Sequence, residues 1–232
     1  MFRHSTAESR PASDRDRGPG IAVFWSGGSD RLCDTGWECS CRLCRVDGPR
    51  ELAVSLSAWI ALGSNLGNRL AHLSAAVAAL RATPGIGVVA LSPIYETDPI
   101  GPAPQAAYLN AAAELATTLA PAELLAALLR IEAARGRRRG PERNAPRTLD
   151  LDLLLYADRR VAEPGLTVPH PRLHERSFVL EPLRDLAGDL MHPVLGLTVA
   201  ELARQVRDPG AVRAAPASCR WGGQILDCLS RE

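Results

Sequence analysis

Pro146-Arg147-Thr148-Leu149-Asp150-Leu151-Asp152-Leu153-Leu154-Leu155-Tyr156 is the stretch from which the fold is read. Leu149, Leu151, Leu153 and Leu155 alternate with Asp150, Asp152, Leu154 and Tyr156. A strand has period two, so the four leucines are expected on one face and the two aspartates on the other. Side chains two apart on a strand stand about 6.5–7 Å apart at Cα. Two carboxylates so placed can converge on hard cations, and Mg²⁺ shares its oxygen shell with substrate phosphates. Upstream lie Arg135, Arg137, Arg138, Arg139, Arg143 and Arg147. Carboxylates for metal beside guanidinium groups for phosphate point to phosphoryl-type transfer from a nucleotide. The plain alternative is a half-exposed strand with a polar face. Against it, Asp is unfavourable in strands, and neighbouring like charges repel unless something neutralises them.

Composition narrows the remaining options. The 232 residues allow one domain with a core and appendages, and 46% hydrophobic content with net charge +1 suits a globular chain. No apolar run is long enough to span a bilayer, and the polar, Arg-rich N-terminus lacks the apolar segment of a secretory signal. The expectation is a cytoplasmic protein. All 27 basic residues are Arg, which excludes P-loop and Schiff-base lysine chemistry. Cys33, Cys39, Cys41, Cys44, Cys219 and Cys228 sit near the two ends, so the central domain is expected to fold without them. Cys41-Arg-Leu-Cys44 is a single Cys-x-x-Cys; zinc or redox chemistry there stands against a simple extension.

Residues 1–55 lack periodicity and read as a disordered, cysteine-containing extension. Ala58–Leu62 reads as a strand, and Arg69–Ala82 as a helix capped by Asn68. Gly87–Tyr95 is strand-like, and the prolines and glycine of Thr97–Gln105 make a loop. Tyr108–Leu119 reads as a strand, and Pro121 opens a helix to about Arg135. Short helices are expected over Glu175–Leu186 and Ala200–Val206, with a domain over 56–207 and a tail over 208–232. The order is β-α-β-β-α-β. It suits an α+β, ferredoxin-like antiparallel sheet with helices on one face and functional loops on the other.

Five stretches taken in order carry a resemblance. They are Gly63-Ser64-Asn65-Leu66-Gly67-Asn68, Tyr95-Glu96-Thr97-Asp98-Pro99-Ile100-Gly101-Pro102, Tyr108-Leu109-Asn110-Ala111, Pro146–Asp152 and Val168-Pro169-His170. Together the chain resembles 6-hydroxymethyl-7,8-dihydropterin pyrophosphokinase over about Ala58 to Val206. The resemblance implies the ferredoxin-like fold and transfer of pyrophosphate from ATP to a pterin alcohol in folate biosynthesis. It implies that Asp150 and Asp152 hold two Mg²⁺ ions. Phe178 and Tyr108 would flank the pterin, Asn110 would bond its edge, and Thr97, Pro99 and Ile100 would lie on its loop. Arg137, Arg139, Arg147, Thr167, His170 and Arg176 would contact the nucleotide, with Glu132 a nearby acid. Arg137, Arg147, Asp150 and Asp152 would carry catalysis. A monomer is expected, without nucleic-acid or membrane partners.

The sequence departs from the family pattern in three places. Asn144-Ala145 stand where many members carry Trp-Gly. Asp98 replaces a common Pro, and Pro171 follows His170 where an aromatic is frequent. The residues also have structural readings: Phe178 and Tyr108 as core, His170 as a turn residue, Asp98 as a turn cap. Two other functions compete. One is an ATP-binding module without turnover, favoured only by the departure at Asn144-Ala145 and opposed by both aspartates. The other is an RNA-binding domain, which requires aromatic residues on the open sheet face that these strands lack.

Overall fold

The computed structural model describes residues 55–99, 105–137, 145–207, 212–216 and 219–221. The expectation for the N-terminal extension and its cysteines lies outside them. Strand β1 (Leu56–Ser64) leads to helix α1 (Arg69–Ala82), then β2 (Ile86–Leu91), β3 (Tyr95–Thr97), β4 (Tyr108–Thr117), α2 (Pro121–Ala134) and β5 (Asp150–Tyr156). A hairpin of β6 (Val161–Glu163) and β7 (Leu166–Val168) follows, then α3 (Ser177–Ala187), α4 (Val199–Gln205) and β8 (Val212–Ala214). The fold is an α+β one. The main sheet runs β5-β1-β4-β3-β8, with β2 beside β3 on the same edge of β4, and every pairing is antiparallel.

Local signals explain the elements. The Asn68 side chain accepts the Ala71 N–H at 3.0 Å, satisfying a helix donor that has no intrahelical partner. Pro121 sits in the first turn of α2, where its missing N–H costs nothing, and Glu123 accepts the Ala120 N–H at 2.8 Å. α1 buries Leu70, Leu73, Ala76, Val77 and Leu80 and α2 buries Leu124, Ala127, Leu128 and Ile131. These pack on Ala58, Ile60 and Leu62 of β1 and on Leu109, Ala111, Ala113 and Leu115 of β4. A fully buried leucine here, such as Leu73 or Leu128, costs about 2–5 kcal/mol when cut to Ala.

Four expectations are corrected. The second face of the sheet is not left to loops alone: Val179, Leu180 and Leu183 of α3 and Val199 and Leu202 of α4 form a second core with Trp59, Ala112, Leu154 and Leu155. The leucines of β5 do not all share one face. The β1–β5 register shifts between Trp59 and Ile60, which pair with Leu155 and Leu153. The extra residue flips the alternation, so Leu151 and Leu153 face α1 and α2 while Leu155 joins the second core. Gly87–Tyr95 is two strands, because Pro93 has no N–H for the ladder. Ser92 holds the break, its N–H donating to Ala112 O at 2.9 Å and its hydroxyl accepting the Ala112 N–H at 2.8 Å.

The fourth correction concerns the expected tail and Cys219. β8 extends the sheet by pairing with β3, and Cys219 is buried in the main core, 5% exposed. Trp221 Nε1 donates to Ser92 O at 2.6 Å. A chain ending at Arg207 loses these contacts and uncovers the edge of β3. Differential scanning calorimetry is expected to show Tm lowered by about 5–10 °C, the shift for a loss of roughly 2–3 kcal/mol in a domain of this size.

Candidate active site

Three neighbouring strands end at one place. In the central strand β1, Gly63 pairs with Asn110 of β4 on one side and with Asp150 of β5 on the other. A Cβ at Gly63 would stand 2.9 Å from Asn110 Oδ1, 3.7 Å from Asp150 Cβ and 3.9 Å from Tyr108 Cδ1. The missing side chain is what lets the neighbouring polar groups close over β1. Asp150 and Asp152 alternate with buried Leu151 and so share the face opposite α1 and α2, as expected. The bulge that turns Leu155 lies beyond them.

A cavity of about 230 Å³ opens here. It is lined by Thr97, Tyr108, Asn110, Arg137, Arg147, Asp150, Asp152, His170, Arg176 and Phe178, together with Asp98 and Arg172. Ten residues singled out from the sequence therefore meet around one space. Glu132 lies just behind the wall, 2% exposed, and Pro99 follows the lining residue Asp98 without lining the cavity itself. Thr167 is not brought to it. It stands exposed on β7 and lines a neighbouring hollow that shares His170 with the cavity. Ile100, Arg139 and Asn144 lie outside the described residues.

The cavity has two chemical halves. On one side Asn110 Nδ2 donates to Thr97 Oγ1 at 2.6 Å, and both residues are buried. Phe178 and Tyr108 supply ring faces, and Arg176 stacks over Phe178 at 5.5 Å. On the other side charge is concentrated. Arg147 Nη1 donates to Asp150 Oδ2 at 2.8 Å, and Arg137 pairs with both Asp150 Oδ1 and Glu132 Oε1. Arg176 stands 3.8 Å from Asp152. Four guanidinium groups and three carboxylates line the space, counting Asp98.

Burial first, and then the charge of Asp150, push the Asp152 carboxyl above its ordinary range. A cation between the two aspartates would relieve both effects. Among the described residues no group of three or more His, Cys, Asp or Glu could hold a metal. The donor set nevertheless fits Mg²⁺, which binds through one or two carboxylates and fills its shell with water and phosphate oxygens. Burial lowers the pKa of His170 against the pull of Asp152, so the ring is neutral near pH 7. Its Nδ1 accepts the Arg172 N–H at 3.2 Å, which leaves the ring proton on Nε2 as a donor. Burial likewise raises the Tyr108 pKa and keeps its hydroxyl protonated.

Sequence reading missed three contributors. Asn65 Oδ1 accepts the Arg147 N–H at 2.7 Å and its own N–H donates to Arg147 O at 3.1 Å, pinning the arginine segment to the end of β1. Its place in the Gly-Ser-Asn stretch was the available signal. Gly63 carried the same signal, but its role depends on the two strands beside it. Arg172 gave none, being one arginine among many.

The comparisons with known proteins agree with one another. The family model described as 7,8-dihydro-6-hydroxymethylpterin-pyrophosphokinase matches residues 59–188. A Pseudomonas aeruginosa 2-amino-4-hydroxy-6-hydroxymethyldihydropteridine pyrophosphokinase is 47% identical over 135 residues, covering 58% of this chain and 83% of that protein. The Synechocystis protein of the same name is 42% identical over 168 residues, covering 72% of this chain and 85% of its own length. Among solved structures, wild-type HPPK-DHPS of Plasmodium falciparum superposes with a TM-score of 0.51 at 14% identity. That match covers 65% of this chain but only 44% of the Plasmodium chain, and it speaks to the fold alone. With more than half of its length matched by the family model, the chain belongs to the 7,8-dihydro-6-hydroxymethylpterin-pyrophosphokinase family.

Proposed function

We infer that the protein transfers pyrophosphate from ATP to 6-hydroxymethyl-7,8-dihydropterin, releasing AMP and the pterin diphosphate, a step of folate biosynthesis. One observation carries the reading beyond family membership. A carboxylate pair and a set of guanidinium groups share one cavity with a ring-binding end built from Asn110, Thr97, Tyr108 and Phe178. Such a space suits a polyphosphate at one end and a flat heterocycle at the other. The sheet order supports the finer ferredoxin-like assignment, with β2 and β3 taken as the two halves of one strand.

The chain's own residues would work chiefly by positioning and electrostatics, which is most of what phosphoryl-type transfer requires. Phe178 and Tyr108 would hold the pterin between their rings, and the Asn110 amide, fixed by Thr97, would bond its edge. Arg137 and Arg147, held on Asp150 in this structure, would turn to the phosphates of ATP once the carboxylate is otherwise neutralised. His170 would donate from Nε2 and Arg176 would add a further positive charge. Arg139, Thr167, Pro99 and Ile100 are proposed to complete the nucleotide and pterin contacts. Asp150 and Asp152 would hold two Mg²⁺ ions, and the chemistry these would supply is Lewis-acid polarisation of the phosphate oxygens. Among the described residues, no helix is long and apolar enough to cross a membrane.

The decisive assay is AMP release from Mg²⁺ and ATP with and without 6-hydroxymethyl-7,8-dihydropterin. Pterin-dependent AMP is expected, and Asp152→Ala is expected to cut kcat by at least about 10²–10³-fold, the scale for losing one electrostatic element of a phosphoryl-type site. AMP formation independent of the pterin, or unaffected by Asp152→Ala, would sink the reading. Gly63→Ala forces a Cβ against Asn110 Oδ1. Weaker binding of the pterin is expected from titration calorimetry, while the affinity for ATP changes less.

A further inference from the structure

The family model stops at residue 188, but the sheet does not. β8 lies beyond that boundary and is bound to the strand that leads into the ring-binding end of the cavity. Thr97 pairs with Val212, Glu96 with Arg213 and Tyr95 with Ala214. The same segment is fastened further along: the Ala215 N–H donates to Ile94 O at 2.9 Å, Cys219 is buried in the main core, and Trp221 bonds Ser92 O. The backbone from Ser92 to Thr97 is therefore held by chain that follows the residues matched by the family model. Thr97 ends β3, and its hydroxyl accepts the Asn110 amide.

From β8 Arg213 Nη2 reaches Asp98 Oδ1 at 2.7 Å. Asp98 lines the cavity directly after Thr97. A carboxylate there adds negative charge to a cavity that already holds Asp150 and Asp152. It would also have to shed water if a flat, uncharged heterocycle settled beside it. Arg213 meets both demands, because it neutralises the charge and fixes where the carboxylate points. The acid and its partner thus come from segments far apart in the chain, one at the end of β3 and one on β8.

We propose that Arg213 is a positioning residue for the pterin side of the site: it holds Asp98 neutralised at the cavity rim, so that affinity for the pterin, and not for ATP, depends on an arginine of β8. The proposal rests on the function inferred above. Both side chains are about half exposed, so the expected effect is modest.

The test measures dissociation constants for the unreactive oxidised probe 6-hydroxymethylpterin, by fluorescence, and for ATP with Mg²⁺, by calorimetry, in the full-length chain. Arg213→Ala is expected to weaken the pterin probe about two- to fivefold, the range for a half-exposed ion pair, and to leave ATP unchanged. Arg213→Lys, which keeps the charge, should restore most of the loss. In an Asp98→Asn background the Arg213→Ala change should have no further effect, since the charge it answers is gone. KM for the reactive dihydropterin should follow the probe, with kcat constant. Unchanged pterin affinity in Arg213→Ala, an equal loss for ATP, or a loss that persists with Asn at 98 would each overturn the proposal; the last would show β8 acting only as a structural strand. Wild-type protein that binds ATP but not the probe would instead overturn the inferred function, and this proposal with it.

Discussion

Glu132 is a carboxylate almost wholly removed from water, and the site is assembled around it. It projects from α2 toward β5, which is the edge strand of the sheet. An edge strand has backbone donors with no partner strand, and a buried one must be satisfied some other way. Glu132 Oε1 accepts the Leu151 N–H at 2.8 Å, between the two aspartates, and also pairs with Arg137. Arg137 in turn grips Asp150, whose other oxygen is held by Arg147. One buried charge therefore ties the end of α2, the backbone of β5 and two cavity arginines together. Removing a partner from such a network leaves charge buried and unpaired, which is costlier than the pair is worth.

The same economy runs across the sheet. Gly63 offers no side chain, so Asn110 and Asp150 approach β1 from its two neighbours. Asn65, two residues on, clamps Arg147 through a pair of hydrogen bonds. The ring-binding half is fixed from another direction. Asn110 bonds Thr97, β3 carries Thr97, and β8 holds β3. α3 delivers Phe178 in its first turn and covers the remaining sheet face with Val179, Leu180 and Leu183. The cavity is what remains of that face after α3 and α4 have packed on it.

Much of this was legible in the chain. Helical spacing with a capping Asn68 placed α1 over Arg69–Ala82, because periodicity and caps are local properties. The alternation in Pro146–Tyr156 correctly put Asp150 and Asp152 together, since period two holds as long as the strand is regular. It failed at Leu155, where a bulge against Trp59 and Ile60 depends on how β1 and β5 meet. Pro93 was a local signal that Gly87–Tyr95 could not be one strand. Thr167 lines a hollow that shares His170 with the cavity, a placement set by the pairing of the hairpin that carries it.

The sequence by itself determined the helices, the β-α-β-β-α-β order from Leu56 to Tyr156, and the chemistry of the site residues. Each depends on residue type and on spacing within a few positions. Only the tertiary structure decided that the second sheet face is shared between α3, α4 and the cavity, that Gly63 is the gap through which Asn110 and Asp150 close, and that residues beyond 207 add a strand. Those outcomes depend on contacts between segments far apart in the chain: Arg213 meets Asp98, and Trp221 meets Ser92. A stretch as short as Val212–Ala214 carries no strand signal of its own. It becomes one because β3 presents an open row of backbone donors and acceptors beside it.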